Sequence, residues 1–241
     1  MTLGTSRQKQ GIDAVTIARG ATRVYLIGSI HGDESEGRAA LGHIRSALDK
    51  TTSGATVRLV SDMNPDGSLA NTRTSSSGVD LNRNWPASNF RASRSTGPLP
   101  LSEPEVELIH ADILRFDPHL IIVLHSSRSG PFINFDGPRA AQLLADQFVA
   151  AARLSGDARW RTVADMGYPT PGSMGSYFGK DRGLPILTVE LRRGEPDPDG
   201  TTSLVAGLES VLADRSVALL PLSTAKPGYK LASQLQLETT R

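Results

Sequence analysis

Arg23-Val24-Tyr25-Leu26-Ile27-Gly28-Ser29-Ile30-His31-Gly32-Asp33-Glu34 is the stretch from which the fold unfolds in both directions. Arg23 to Gly28 is a β-rich run, and the small and polar residues after it break the run. Ser35 to Lys50 then carries apolar residues at helical intervals, Ala39, Leu41, Ile44 and Leu48, before Thr56 to Ser61 reads as the next strand. Strand, helix and strand in that order make a βαβ unit. Upstream, Ile12 to Arg19 is another β-rich run, separated from Arg23 by a short turn at Gly20-Ala21. That spacing predicts a β-hairpin and a sheet that starts antiparallel.

Beyond Ser61 the chain changes character. Met63 to Gly97 is rich in Asn, Ser, Gly and Arg with little apolar periodicity, and a loop of this length inside a compact domain is more often functional than idle. Ser102-Glu103-Pro104-Glu105 has the form of a capping box for a helix running to about Arg115, and His119 to Leu124 is a continuous apolar strand ending at His125. Gly137 to Leu154 reads as helix, Pro185 to Leu191 as a strand containing Glu190, and Thr202 to Ala213 as a closing helix. No internal repeat is present. A catalytic domain over residues 1–222 and a polar tail over 223–241 are expected.

The bulk composition narrows the function. At 241 residues, one large α/β domain can bury a substantial core. Lys and Arg together number 26 against 25 Asp and Glu, with no basic cluster interleaved with aromatics, so nothing points to nucleic acid. No apolar run approaches the roughly 18 residues of a membrane span. The start, Met1 to Gln10, lacks a signal-peptide core, from which a cytoplasmic protein is expected. There is no cysteine, so any metal must sit on histidines and carboxylates.

His31 and Glu34 are three apart, a spacing that on the first turn of a helix puts an imidazole and a carboxylate on one face. Such a pair is common by chance and gains meaning only with a partner. His31, His125 and Glu190 all fall at the ends of apolar strands, and in open α/β sheets the ligand crevice lies outside the carboxyl ends of the strands. His31, Glu34 and His125 together would be two histidines and one carboxylate with an open fourth position, as a catalytic zinc requires. The plainer alternative for His125 is a strand-end histidine bonded to nearby backbone. His43, His110 and His119 read as ordinary helix-face or strand-start residues.

Five motifs then occur in one order: the His31 pair; Asn64-Pro65-Asp66-Gly67 followed by Arg73; Gly78-Val79-Asp80-Leu81-Asn82-Arg83-Asn84-Trp85-Pro86; Leu124-His125-Ser126; and Thr188-Val189-Glu190-Leu191-Arg192. Together they resemble the zinc carboxypeptidases of the carboxypeptidase A type over most of the chain, Gly28 to Arg192. The resemblance implies an α/β fold: a mixed, twisted sheet of about eight strands with helices on both faces. It implies one zinc per chain on His31, Glu34 and His125, Glu190 as general base, and Arg73 as the group that stabilises the oxyanion. It further implies Asn82 and Arg83 as the grip on a substrate carboxylate, and Asp80 as the carboxylate that orients the first zinc histidine. Asp80 has a simpler alternative, a turn residue bonding its own backbone.

The tyrosine that closes over the scissile bond in that family has a match in Tyr168, at the expense of a one-residue gap, with Tyr177 as a rival. Asp33 stands where the digestive enzymes carry a cation, which makes it a candidate for substrate binding. Gly172-Ser173-Met174-Gly175-Ser176 matches the base of the side-chain pocket and offers neither an aromatic slot nor an acidic floor. Compact length, Gly32-Asp33, Tyr168 to Ser173 and Gly97 to Glu105 look most like the bacterial murein peptide amidases, although Glu190-Leu191-Arg192 is closer to the digestive type. The implied substrate is a small peptide with a free carboxylate, cleaved between γ-D-glutamate and meso-diaminopimelate. Two alternatives remain open: an N-acyl amino acid deacylase like aspartoacylase or succinylglutamate desuccinylase, and a zinc-bearing binding module without catalysis.

Overall fold

The computed structural model describes residues 1–18, 20–50, 54–194 and 198–213. Its framework is one eight-stranded mixed sheet in the order β1-β2-β4-β3-β5-β8-β6-β7. The strands are β1 (Thr2–Thr5), β2 (Gly11–Ala18), β3 (Thr22–Ile27), β4 (Ala55–Val60), β5 (Leu120–Ser127), β6 (Phe132–Asp136), β7 (Thr162–Val163) and β8 (Ile186–Arg192). The expected α/β architecture is what forms. β4, β3, β5 and β8 run parallel at the centre, and their side chains are apolar on both faces because both faces are covered.

Alternation along each strand sorts the core into two layers. Val24, Leu26, Ile122, Leu124, Leu187 and Val189 pack with the helices α1 (Ser35–Lys50), α4 (Arg139–Leu154) and α5 (Pro198–Ala213). Tyr25, Ile27, Ile121, Val123 and Ile186 face the other way, onto α3 (Pro104–Phe116) and a π-helix at Gly175–Asp181. Each buried Leu or Ile contributes roughly 1.5–3 kcal/mol of apolar transfer free energy, so these two layers dominate the cohesion of the chain.

The βαβ unit of β3, α1 and β4 forms as its pattern predicts. The hairpin does not: β4 inserts between the two runs, antiparallel to β2 and parallel to β3. Sequence neighbours at Gly20-Ala21 are thus separated by a strand that is almost fully buried and needs a partner on each side. The sheet still begins antiparallel, with an unforeseen edge strand, β1, on β2. β6 and the two-residue β7 close the other edge, and both are too short to carry a pattern in sequence.

The long polar segment holds a short helix, α2 (Pro65–Ala70), capped by Asn64, whose side chain accepts from the Gly67 N–H, and a 3-10 turn at Leu81–Arg83. Ser102 does not cap α3. Its hydroxyl accepts from Asn84 Nδ2 at 3.0 Å, while Glu103 accepts from Ser75 at 2.9 Å and Ser77 at 2.7 Å. The apparent capping box instead ties the polar segment to the start of α3. No helix among the described residues is long and apolar enough to cross a membrane. The expected tail, residues 223–241, lies outside the described residues.

Candidate metal centre and active site

His31 and Glu34 lie in the turn between β3 and α1, not on the helix itself. Glu34 N–H donates to His31 O at 3.2 Å, and this turn achieves what a first helical turn was expected to do. Gly32 permits it, because a β-carbon there would run into the backbone of Gly67 in α2. His125 comes from β5 and is in register with Glu190 of β8. In-register residues on parallel strands share a face, here that of Val123 and Ile186 at the carboxyl end of the sheet.

These elements bring His31, Glu34 and His125 into one buried cluster whose ligand atoms all lie within 4.8 Å of one another. His31 Nδ1 is 2.9 Å from Glu34 Oε1, His125 Nδ1 is 2.8 Å from Glu34 Oε2, and the two Nδ1 atoms are 3.1 Å apart. A tetrahedron with metal–nitrogen bonds of about 2.05 Å has an edge of roughly 3.3 Å, so the donor set fits a zinc ion. The tautomer agrees. His31 Nε2 lies 3.0 Å from Asp80 Oδ1, and an N–H donated there turns the Nδ1 lone pair into the cluster.

Burial alone would raise the Glu34 carboxyl, but the charge of His125 and hydrogen bonds from both imidazoles hold it far below the usual carboxylate range. Burial likewise opposes ionisation of Asp80, and His31 and Arg73 override it. Asp80 Oδ1 also accepts the Asn82 N–H at 2.9 Å, so its simpler role as a turn residue and its contact with His31 coexist. Glu190 moves the other way. Desolvation raises its carboxyl, and the nearby Glu34 charge adds to that, against the opposing pull of His125 and His31.

The site opens into a cavity of about 930 Å³ lined by His31, Glu34, His125, Glu190, Arg73, Asn82, Arg83 and Tyr168 among others. Arg73 donates from Nε to Asp80 at 3.1 Å and from Nη1 to Glu34 at 3.2 Å. Asn82 Oδ1 accepts the Met174 N–H at 3.0 Å, and its Nδ2 faces His125 Nε2 at 3.5 Å. Tyr168 is 54% exposed on the cavity wall, whereas Tyr177 is buried, hydrogen-bonded to His110 at 3.0 Å and away from it.

Asp33 is not brought to the cavity. Its carboxylate pairs instead with Arg193 at 2.8 Å, and Arg193 also donates to the Asp33 carbonyl at 2.8 Å. His119 Nδ1 accepts the Arg23 N–H and His43 is exposed, as ordinary residues would be. The charged cavity residues Asp136, Arg161, Asp165 and Lys180 escaped the sequence reading. β6, which presents Asp136, is only five residues long and gave no signal in the sequence.

Comparison with known proteins agrees with this geometry. The family model described as zinc carboxypeptidase matches residues 1–197. Murein peptide amidase A of Escherichia coli K12 is 30% identical over 182 residues, 69% of this chain and 69% of that protein. The protein of the same name from Vibrio campbellii is 28% identical over 186 residues, 70% and 69% of the two chains. Among solved structures, the murein-tripeptide amidase of Escherichia coli O157 superposes with a TM-score of 0.67 at 26% identity, covering 88% of this chain and 91% of that one. Bovine thrombin-activatable fibrinolysis inhibitor, at 20% identity, has a TM-score of 0.70 over 91% and 88% of the chains, a likeness of fold alone. With its motifs, sheet and His-Glu-His cluster on one side of the comparison and this match on the other, the chain belongs to the zinc carboxypeptidase family and is a hydrolase.

Proposed function

We propose that the protein is a zinc-dependent amidase that hydrolyses an amide next to a free carboxylate, the γ-D-glutamyl–meso-diaminopimelate bond of murein peptides. The observation that carries this is the meeting of His31, Glu34 and His125 with Glu190 in the lining of one cavity. The names of the similar murein amidases support the choice of substrate.

Zinc, when bound, supplies Lewis acidity and lowers the pKa of water to about 7. The chain's own residues do the rest. Glu190, its carboxyl raised by desolvation, takes a proton from water and holds it until the leaving amine nitrogen accepts it. Arg73 spends Nε and Nη1 on Asp80 and Glu34, which leaves its Nη2 edge for the oxyanion that develops on the substrate carbonyl. The fork of Arg83, beside Asn82, suits a bidentate grip on the substrate carboxylate. Tyr168, half-exposed on the wall, is the group that covers the scissile bond and excludes water. Glu190 and Arg73 both face the cavity, which favours an enzyme over a binding module.

Incubating zinc-loaded protein with L-Ala-γ-D-Glu-meso-diaminopimelate, C-terminal peptides and N-acyl amino acids, and following amine release, tests the assignment. The γ-glutamyl peptide is expected to be cleaved. Amine release from N-acyl amino acids alone means a deacylase. Glu190→Gln is expected to keep about one zinc per chain and lose a factor of roughly 10²–10⁴ in turnover; undiminished turnover removes it as the base.

A further inference from the structure

The metal ligands and the base ride on three separate elements, and one side chain outside the cavity joins all three. Arg193 follows β8, a short step beyond Glu190. Its N–H donates to Ser127 O at 3.0 Å, which prolongs the β5–β8 pairing in which His125 stands opposite Glu190. The same strand end is pinned from the β5–β6 turn, where a β-carbon at Gly130 would strike the Glu190 and Leu191 carbonyls. From this fixed base the Arg193 guanidinium crosses to the β3–α1 turn, and Nη2 donates at 2.8 Å to the Asp33 carboxylate and at 2.8 Å to the Asp33 carbonyl. That carbonyl is half of the peptide bond into Glu34, so the grip is on the backbone that carries a metal ligand. Gly194 adds a second link, its N–H donating to Glu36 Oε1 at 2.8 Å.

An ion pair with 36% of the arginine and 27% of the aspartate side chain open to solvent adds little to stability by its charge alone. Its placement is what sets it apart. Arg73, the cation on the cavity side of the turn, is spent on Asp80 and Glu34, so among the described residues the ion pair of Asp33 is with Arg193. Asp33 Oδ1 and Glu36 Oε2 are buried with no hydrogen-bond partner among those residues, and Arg193 offsets the repulsion between these carboxylates and Glu34. Arg193 does not line the cavity, so its effect on the metal passes through Glu34. Charge and position then act on a dication in opposite directions. Removing a guanidinium near the site favours zinc electrostatically, whereas letting the turn drift from β8 moves Glu34 away from where a small, tightly coordinated ion needs it.

We infer that Arg193 is a positioning residue of the metal centre: by holding the Asp33 backbone against the end of β8, it sets Glu34 at its distance from His125 and Glu190. Position outweighs charge, because the pair is partly exposed and its field is screened at the metal, while a ligand displaced by about 0.5 Å already loses its productive geometry. The turn is therefore set before the metal arrives. This rests on the proposed ligand set and not on which amide is cleaved.

The test compares wild type, Arg193→Gln and Arg193→Lys in three measurements: zinc affinity by competition with a chromophoric chelator, the visible spectrum of the cobalt-substituted protein, and Tm of the metal-free protein. Arg193→Gln is expected to weaken zinc about tenfold and to shift the cobalt bands, with the metal-free Tm within about 3 °C of wild type. Arg193→Lys keeps the charge on a shorter side chain without a fork, and should bind zinc roughly threefold more weakly than wild type. Zinc held by Arg193→Gln as tightly as by wild type, or more tightly, overturns the inference. A large fall in metal-free Tm with unmoved cobalt bands also overturns it, since the pair is then merely structural. If Arg193→Gln fails to fold, Arg193→Lys decides: wild-type affinity and spectrum overturn the inference, and a threefold loss with shifted bands upholds it. A wild type that takes up no zinc overturns the ligand set along with the role of Arg193, whereas normal uptake by wild type and both variants removes Arg193 alone.

Discussion

Asp80 ties three roles into one carboxylate: it accepts from His31 Nε2, from the Asn82 N–H and from Arg73 Nε. Removing its charge while keeping its shape should therefore loosen the metal without unfolding the chain. Asp80→Asn is expected to weaken zinc binding by roughly 10- to 100-fold, read from competition with a chromophoric chelator; unaltered affinity would show that His31 needs no orienting partner. His110 offers a different test, of stability against pH. Burial, with the Arg182 charge adding, pushes its imidazole from 6.5 down to about 4. The unfolded chain then binds the extra proton first, so this contribution is whole above pH 6.5 and is lost as the pH falls toward 4, by up to about 3 kcal/mol. His110→Gln, which can still reach the Tyr177 hydroxyl, should flatten that part of the urea-midpoint profile between pH 7 and 4.5. At this scale the sequence was most legible for His31, Glu34 and His125, whose residue types and spacing suggest a metal set, while the role of Glu190 came from its family motif. That Asp33 pairs with Arg193 was not legible, because the direction of a turn side chain depends on what packs against the turn, and Arg193 lies far along the chain.

Elements position these residues through close backbone contact. The β3–α1 turn carrying His31 and Glu34 rests against α2, and Gly32 is where the two backbones meet. Gly32→Val is expected to push the turn off α2, lowering zinc affinity and thermal stability together; a variant that binds zinc like wild type would mean the turn can relax. Helical periodicity made α1, α3 and α4 legible to within a few residues, since each buries one face against the sheet. The π-helix at Gly175–Asp181 carries no such signature. Its widened turn is imposed by β6 and by the aromatic packing of Tyr177 and Phe178 with His110 and Trp85, none of which is local.

At the scale of the whole molecule, the cluster joins a turn near residue 31 to a strand end at residue 125, and Glu190 beside it comes from a third element. A ligand that bridges such distant segments binds the folded chain and not the unfolded one. Zinc at a thousandfold excess over its Kd should add about 4 kcal/mol of stability, and chelation should lower Tm by on the order of 10 °C. His125→Ala should show no difference between chelated and zinc-supplemented samples, and a chelator-insensitive wild type would refute the ligand set. The residue order alone determined the α/β class through apolar periodicity, which is a local property of the chain, and the metal-binding and catalytic candidates through the ordered motifs that resemble the zinc carboxypeptidases. The tertiary structure alone decided that β4 separates β2 from β3, that Ser102 and Glu103 anchor the polar segment instead of capping a helix, and that Asp136 and Asp165 line the cavity while Asp33 pairs with Arg193. Each of these depends on which distant backbone arrives as a neighbour, and no spacing along the sequence records that.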